Sequence, residues 1–241
     1  MGQESASLTV IPAKRHSTRL PGKNVKRLHG RTLLEHAIAH AVASGVCGTI
    51  AVSTDDEEIA AMARAAGAEA PFLRDPAYSG DEVSVGRAAA EMLRRYRTEL
   101  GRTFDDFCLL LTTCPLRTAE DIVACRRIYD EHPEVDAVMS VTHYEYPPLW
   151  ANTLDADGYI TPMFPEPAET HWSKLPECVL CNGAVYWARA GFYEGVDGDQ
   201  YVGKTLPYFM PRERSVDIDT EADWALAELL MAHRQGQGDG A

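Results

Sequence analysis

Positive charge is scarce in this chain. Lys and Arg number 23 against 36 Asp and Glu, for a formal net charge of -13. That balance excludes a general nucleic-acid binder, because nonspecific phosphate binding requires cationic side chains spread over a surface. Long apolar runs are missing too: no stretch approaches the roughly 18 residues of a membrane helix. The opening MGQESASLTV lacks the charged-then-apolar form of a secretory leader. It also carries Ala6 where a myristoylation signal requires Ser or Thr. A cytoplasmic protein that contacts neither nucleic acid nor membrane is the expectation.

Metal-type cysteine spacing is nearly absent. Of Cys47, Cys108, Cys114, Cys125, Cys178 and Cys181, only the last two have CxxC spacing. No second pair exists to close a tetrahedral zinc site, so small buried hydrophobes in a reducing compartment are expected. The two glycine fingerprints of nucleotide binding, GxxxxGK[ST] and GxGxxG, do not follow the first apolar strand. No internal repeat is present.

What the chain does contain is an ordinary globular composition, 45% hydrophobic and 24% charged, and an alternation of short apolar runs with helical periods. Leu8–Ile11 reads as a buried strand. Thr32 then caps a helix carrying Leu33, Leu34, Ala37, Ile38, Ala41 and Val42, stopped by Gly45. TIAVS (49–53) is the next strand, followed by a helix that Thr54 opens, with Glu57 completing a capping box and Gly67 the stop. A helix near 83–99 leads to FCLLL (107–111), a TTCPLR turn, a helix from Thr118 to about 132, and AVMSV (137–141). Such alternation predicts an α/β fold: a mostly parallel sheet with helices on both faces.

Between 142 and 178 the pattern gives way to Pro and aromatic residues, with a turn at Asp155–Gly158. The expected organisation is an α/β core of residues 1–141 and 179–241, interrupted by a small β-rich arm or lid at 142–178. GAVYWA (183–188) returns to the sheet, and a last helix, ALAELLMAH, follows RSVDIDTEADW (214–224).

Against the acidic background one segment stands apart. IPAKRHSTRLPGKN (11–24) places Lys14, Arg15, Arg19 and Lys23, with His16 among them, directly after the first strand. In open α/β sheets, ligands bind beyond the carboxyl ends of strands, where this loop lies. A solvated charge run is the bland alternative; a cradle for a small polyphosphate is the functional one. Late in the chain, Asp217 and Asp219 alternate in VDID, so on an extended segment both carboxylates face one side and could share one magnesium. Asp223 reads more simply as the acid of a capping box behind Thr220.

The basic loop resembles the signature loop of the CMP-sugar synthetases, the cytidylyltransferases of acylneuraminate and related sugar acids. VSTDDEEIAAMARAAGAE (52–69), PFLRDPAYSGDE (71–82), TTCPLRTAEDI (112–122), PPLWANTLDADG (147–158), NGAVYW (182–187) and VDIDTEADW (216–224) follow that family's order. The resemblance implies a nucleotidyltransferase fold, a homodimer with 142–178 as its arm, CTP as donor, Mg2+, and a small acidic acceptor, by default a nonulosonic acid. It implies catalytic roles for Lys14, Lys23, Asp217 and Asp219, the two aspartates holding the metal. It puts Ala13, Lys14, Arg15, Lys23, Asn24, Arg74 and Ser79 at the nucleotide, with Asp81 in the same loop. The acceptor would meet Arg19, Leu111, Thr112, Thr113, His171, Lys174 and Asn182.

Departures concentrate on the acceptor side. Lys14 stands where the family usually has arginine, keeping charge but losing the bidentate fork. Leu111 and Thr112 replace a Gln-Pro pair, and leucine cannot reproduce the glutamine's hydrogen bonds. HWSKLP replaces an arginine-glutamine stretch. A phosphonate acceptor, suited to the extra cations Lys14, Arg15, Arg19 and Lys174, is therefore kept as the alternative. So is a catalytically silent nucleotide-binding module on the same fold. No general base can be named among His16, His143 and His171.

Overall fold

The computed structural model describes residues 6–80 and 82–238; Asp81 lies outside the described residues. In chain order the strands and helices are β1 (Ser7–Pro12), β2 (Arg27–Leu28), β3 (Arg31–Thr32), α1 (Leu33–Ser44), β4 (Thr49–Ser53), α2 (Glu57–Ala65), α3 (Val85–Leu100) and β5 (Asp106–Leu109). After them come α4 (Ala119–Glu131), β6 (Ala137–His143), β7 (Asn152–Leu154), β8 (Ile160–Pro162), β9 (Val179–Arg189), α5 (Ala190–Gly195), β10 (Thr205–Phe209) and α6 (Glu221–Gly238).

Six strands form one sheet in the order β10-β6-β9-β5-β1-β4. All pairs are parallel except those of β9, which runs against both β5 and β6. This is the expected mostly parallel α/β sheet. Strand β1 is buried along its whole length, as a run covered by helices on both faces must be. One core layer joins Ile11, Val52 and Val138 to α1, α2 and α4. The other sets Leu8, Val10 and Phe107 against α3 and α5, with Phe107 and Tyr193 stacked at 4.0 Å. A third, smaller core gathers Leu20, Leu28, Leu33, Leu116, Ile218 and Trp224. It ties together three segments far apart in sequence: the basic loop, the TTCPLR turn and the VDID segment.

Local signals explain most helix ends. Thr32 and Glu35 form a reciprocal capping box at α1, and Gly45 ends it at φ +69°. Thr118 and Asp121 do the same at α4. The start of α2 differs from expectation: Asp56, not Thr54, caps it by accepting from the Ile59 N–H at 2.9 Å. Thr54 is occupied elsewhere, its hydroxyl accepting from Asp56 N–H at 3.2 Å and its carbonyl from Arg74 N–H at 2.7 Å. The predicted strand 107–111 ends sooner, at Leu109; Leu110 still donates to Val10 O at 3.1 Å and packs in the core, and Leu111 reaches the site. Helix α6 starts at Glu221, earlier than the ALAELLMAH run, behind a Thr220–Asp223 capping box. Residues 144–178 leave the sheet between β6 and β9. Within them the β7–β8 hairpin turns at Asp155–Gly158, where the Asp155 carboxylate accepts from Asp157 and Tyr159 N–H groups.

Candidate active site

At the carboxyl end of β1, Ala13 N–H donates to Ser53 O at 2.9 Å, so the basic loop departs beside the end of β4. Gly22 at φ +69° then lets the chain turn into a short 3-10 helix, Lys23–Val25, a left-handed position that favours glycine. Asn24 staples the loop. Its amide donates to Lys14 O at 2.8 Å, and its side-chain oxygen accepts from the Thr112 hydroxyl at 2.6 Å. On the opposite side, Ile218 N–H donates to Thr113 O at 2.8 Å, which fixes the acid couplet to the same turn.

These contacts bring the two ends of the chain together. Lys23 Nζ donates to Ile218 O at 2.9 Å and to Asp219 Oδ1 at 2.8 Å, while Arg19 reaches Asp219 Oδ2 at 2.8 Å. Lys23 is mostly buried and Asp219 about one-quarter exposed, so this pair is shielded from solvent more than a surface bridge. Asp217 lies beside it. Burial pushes its carboxyl above the ordinary range and the Asp219 charge adds to this, opposed by a Thr113 hydrogen bond and by Lys23 and Arg19.

A cavity of about 440 Å³ opens over this junction. Lys14, Arg19, Lys23, Asn24 and Arg74 line its basic side, and Asp217 and Asp219 its acidic side. Leu111, Thr112 and Thr113 form the floor at the end of β5. Arg74 is buried, its guanidinium donating to Ser53 Oγ at 2.9 Å and to Ser53 O, so it braces the end of β4 as well as bordering the cavity.

Other predicted residues lie elsewhere. Arg15 pairs with Glu58 at 2.6 Å on the first turn of α2 and does not line the cavity. Ala13 is buried beneath it. Ser79 donates to Asp75 O at 3.1 Å and borders a neighbouring hollow. Asn182 is buried with its amide fully engaged: the oxygen accepts from the Ser140 hydroxyl at 2.6 Å and Ala184 N–H, and the nitrogen donates to Ser215 Oγ at 2.9 Å and Met210 Sδ. It ties β9 to β6 and to the segment before VDID rather than facing the cavity. His171 and Lys174 sit in an exposed turn of the 144–178 segment, His171 beside the Ser173 hydroxyl at 2.9 Å. None of the described histidines lines the cavity; His143 stacks on Phe209 and faces Glu177.

Sequence reasoning passed over the α3 side. Gly80, Val83, Val85 and Ala88 complete the wall, together with Pro12, Ser17 and Thr18. The usable signal was Ser84, which caps α3 by accepting from Arg87 N–H at 3.2 Å and so turns its first residues toward the site. The glycine of NGAVYW has a local reason also: Gly183 is at φ +69°, and a Cβ there would stand 2.7 Å from Leu111 Cδ1.

Asp217 and Asp219 are the two carboxylates at this cavity that could hold a metal ion. Among the described residues, no group of three or more His, Cys, Asp or Glu suited to a metal occurs. Cys178 and Cys181 are free thiols. No described helix is long and apolar enough to cross a membrane.

A family model described as "Cytidylyltransferase" matches residues 8–155. The chain is 34% identical, over 95% of its length and 97% of the relative's, to the CMP-N,N'-diacetyllegionaminic acid synthase of Legionella pneumophila. It is 27% identical to a pseudaminic acid cytidylyltransferase of Campylobacter jejuni, covering 93% of this chain and 95% of that one. Among solved structures, a CMP:2-keto-3-deoxy-manno-octonic acid synthetase complexed with CTP superposes with a TM-score of 0.70 at 17% identity, covering 95% of this chain and all of the other. That last likeness speaks to the fold.

Proposed function

The chain belongs to the cytidylyltransferase family, among the CMP-sugar synthetases, and on that premise we propose that the cavity joins CTP to a nonulosonic sugar acid with release of pyrophosphate. The observation that supports this reading best is the Lys23–Asp219 contact at 2.8 Å, which sets the basic loop and the acid couplet over one cavity.

Lys14, Arg19 and Lys23 bind and orient the triphosphate, and they offset the charge that grows on the departing pyrophosphate. In the ligand-free chain, Asp219 holds Lys23 and Arg19; a triphosphate carries more charge and draws these cations to itself. Asp217 and Asp219 are the residues that would hold magnesium, and their fit is chemical: two oxygen donors, one of them a buried acid whose ionised form burial disfavours. Bound there, the ion would act as a Lewis acid on phosphate oxygens. The acceptor hydroxyl attacks the α-phosphorus in line, forming one P–O bond as the bond to the pyrophosphate oxygen breaks. Leu111 presents an apolar floor where a hydrogen-bonding side chain would otherwise contact the acceptor. Such an enzyme works where CTP is available, in the cytoplasm.

The cations that favour a phosphonate are dispersed. Arg15 is turned to Glu58 and Lys174 lies on the arm, which leaves Lys14 and Arg19 at the cavity. We further read residues 144–178 as the arm of a homodimer, two residues shorter than the expected 142–178 because Thr142 and His143 belong to β6; Tyr146, Leu154, Tyr159 and Ile160 on it are each at least 70% exposed. The test incubates protein, CTP and magnesium with nonulosonic acids and phosphonates and detects CMP conjugates by mass spectrometry. The sugar acids form the conjugate on this account; conjugates from phosphonates alone would overturn it.

A further inference from the structure

Behind the TTCPLR turn lies a second cavity, of about 720 Å³, that shares no lining residue with the first. Residues 111–113 line the first cavity, and Pro115 with Arg117 to Glu120 lines this one. Its walls come from α1, the first turn of α4 and α6.

In a chain of net charge -13, the wall is cationic. Arg31, Arg117 and Arg234 line it against one carboxylate, Glu120. Arg117 is 1% exposed. Its Nη1 donates to Leu111 O at 3.1 Å and Ala184 O at 2.6 Å, which accounts for an anchoring role at the turn. Its Nε and Nη2 have no hydrogen-bond partner among the described residues, and neither does Nδ1 of His40 on α1. Asp121, the carboxylate whose charge bears on Arg117, bonds Tyr208 and Arg214 instead. Burial pushes His40 down to about 3, with the Arg117, His36, Arg234 and Arg31 charges adding to the effect. Buried guanidinium donors left without an acceptor are costly unless a ligand or water meets them. The first turn of α4 adds the positive end of its dipole.

We propose that this cavity is a second, non-catalytic site for a phosphate-type oxyanion, held by Arg117 from within and by Arg31 and Arg234 at the rim. The Nε–Nη2 edge of the Arg117 guanidinium suits two oxygens of a phosphate group, the fork geometry that distinguishes Arg from Lys; both nitrogens are closed off in the ligand-free chain, so the anion engages them as the cavity wall yields. Occupancy is felt at the catalytic cavity, because the same guanidinium holds the carbonyl of Leu111, which lines that cavity. The site does not depend on which acceptor the enzyme uses, or on its catalysing cytidylyl transfer at all.

The test is calorimetric titration of the full chain with pyrophosphate, inorganic phosphate or CTP, in wild type and in an Arg31→Gln/Arg234→Gln double variant. Both arginines are exposed, and because Arg234 also donates to Leu116 O at 2.9 Å, urea unfolding of the double variant checks that the fold is kept. Wild type should bind pyrophosphate at two sites. The double variant should keep one at its original affinity and weaken the other by about tenfold or more. A second equivalent taken up from CTP assigns the site to a nucleotide's phosphate tail; one taken up only from pyrophosphate or phosphate assigns it to the free anion. In parallel, the His40 ring nitrogens, followed by 15N NMR, should shift as the second site fills. Binding left wholly untouched by the double variant, or an unmoved His40 signal, would overturn the proposal and leave the orphaned donors to ordered water; a single wild-type site that the double variant weakens would support it and count against phosphate binding at the catalytic cavity.

Discussion

Asp217 carries two opposed demands. Burial makes its ionised form unfavourable, yet the proposed metal needs that ionised form. Its folded-state proton affinity exceeds the unfolded one, so it costs the ligand-free protein stability as pH rises through the upper carboxylate range. Asp217→Asn is therefore predicted to raise the ligand-free melting temperature by a few degrees while lowering kcat by about 100-fold or more, read by calorimetry and a pyrophosphate assay. Two basic residues, four positions apart, separate what was legible here from what was not. Arg15 and Arg19 look alike in the sequence, but Arg15 turns to Glu58 and Arg19 to Asp219. Composition cannot tell them apart, because the direction depends on where α2 lies. Arg19→Ala should raise KM for CTP by about tenfold, and Arg15→Ala should leave it within about threefold.

At the scale of elements, periodicity and caps marked α1, α3 and α4, and apolar runs marked β1, β4, β6 and β9. Two features were hidden. β10 contains Pro207 and lies at the sheet edge, where proline is tolerated but blurs the strand signal. The sequence marked Thr54 as the opener of α2; Asp56 caps it instead, while the Thr54 carbonyl is taken by Arg74 N–H, a tertiary contact no local pattern shows. Asn182 belongs to this scale too. Its partners Ser140 and Ser215 are set by the β6–β9 register and by the chain before VDID, which no local motif encodes. Asn182→Ala should destabilise the fold by about 1–3 kcal/mol, because the buried Ser140 hydroxyl loses its acceptor and Ala184 N–H and Ser215 Oγ each lose a partner, as read by urea unfolding. An effect confined to acceptor KM, with stability unchanged, would restore the contact role expected from sequence.

Over the whole molecule, the third core is what makes a site out of distant segments. Leu20, Leu116 and Ile218 pack together only once β1, β5 and the start of α6 are in place. The motif order was readable in the sequence; the convergence is a property of the packed sheet. The exposed arm residues predict association: replacing Tyr159 and Ile160 by Ser should shift the particle from dimer to monomer in analytical ultracentrifugation, and a wild-type monomer at micromolar concentration would refute the arm reading. The most direct measurement of the central claim is magnesium- and acceptor-dependent pyrophosphate release from CTP, compared between wild type and Asp217→Asn/Asp219→Asn. Release that falls to background in the double variant is the predicted result. Release that continues at the wild-type rate without either carboxylate would contradict a shared site for the basic loop and the acid couplet.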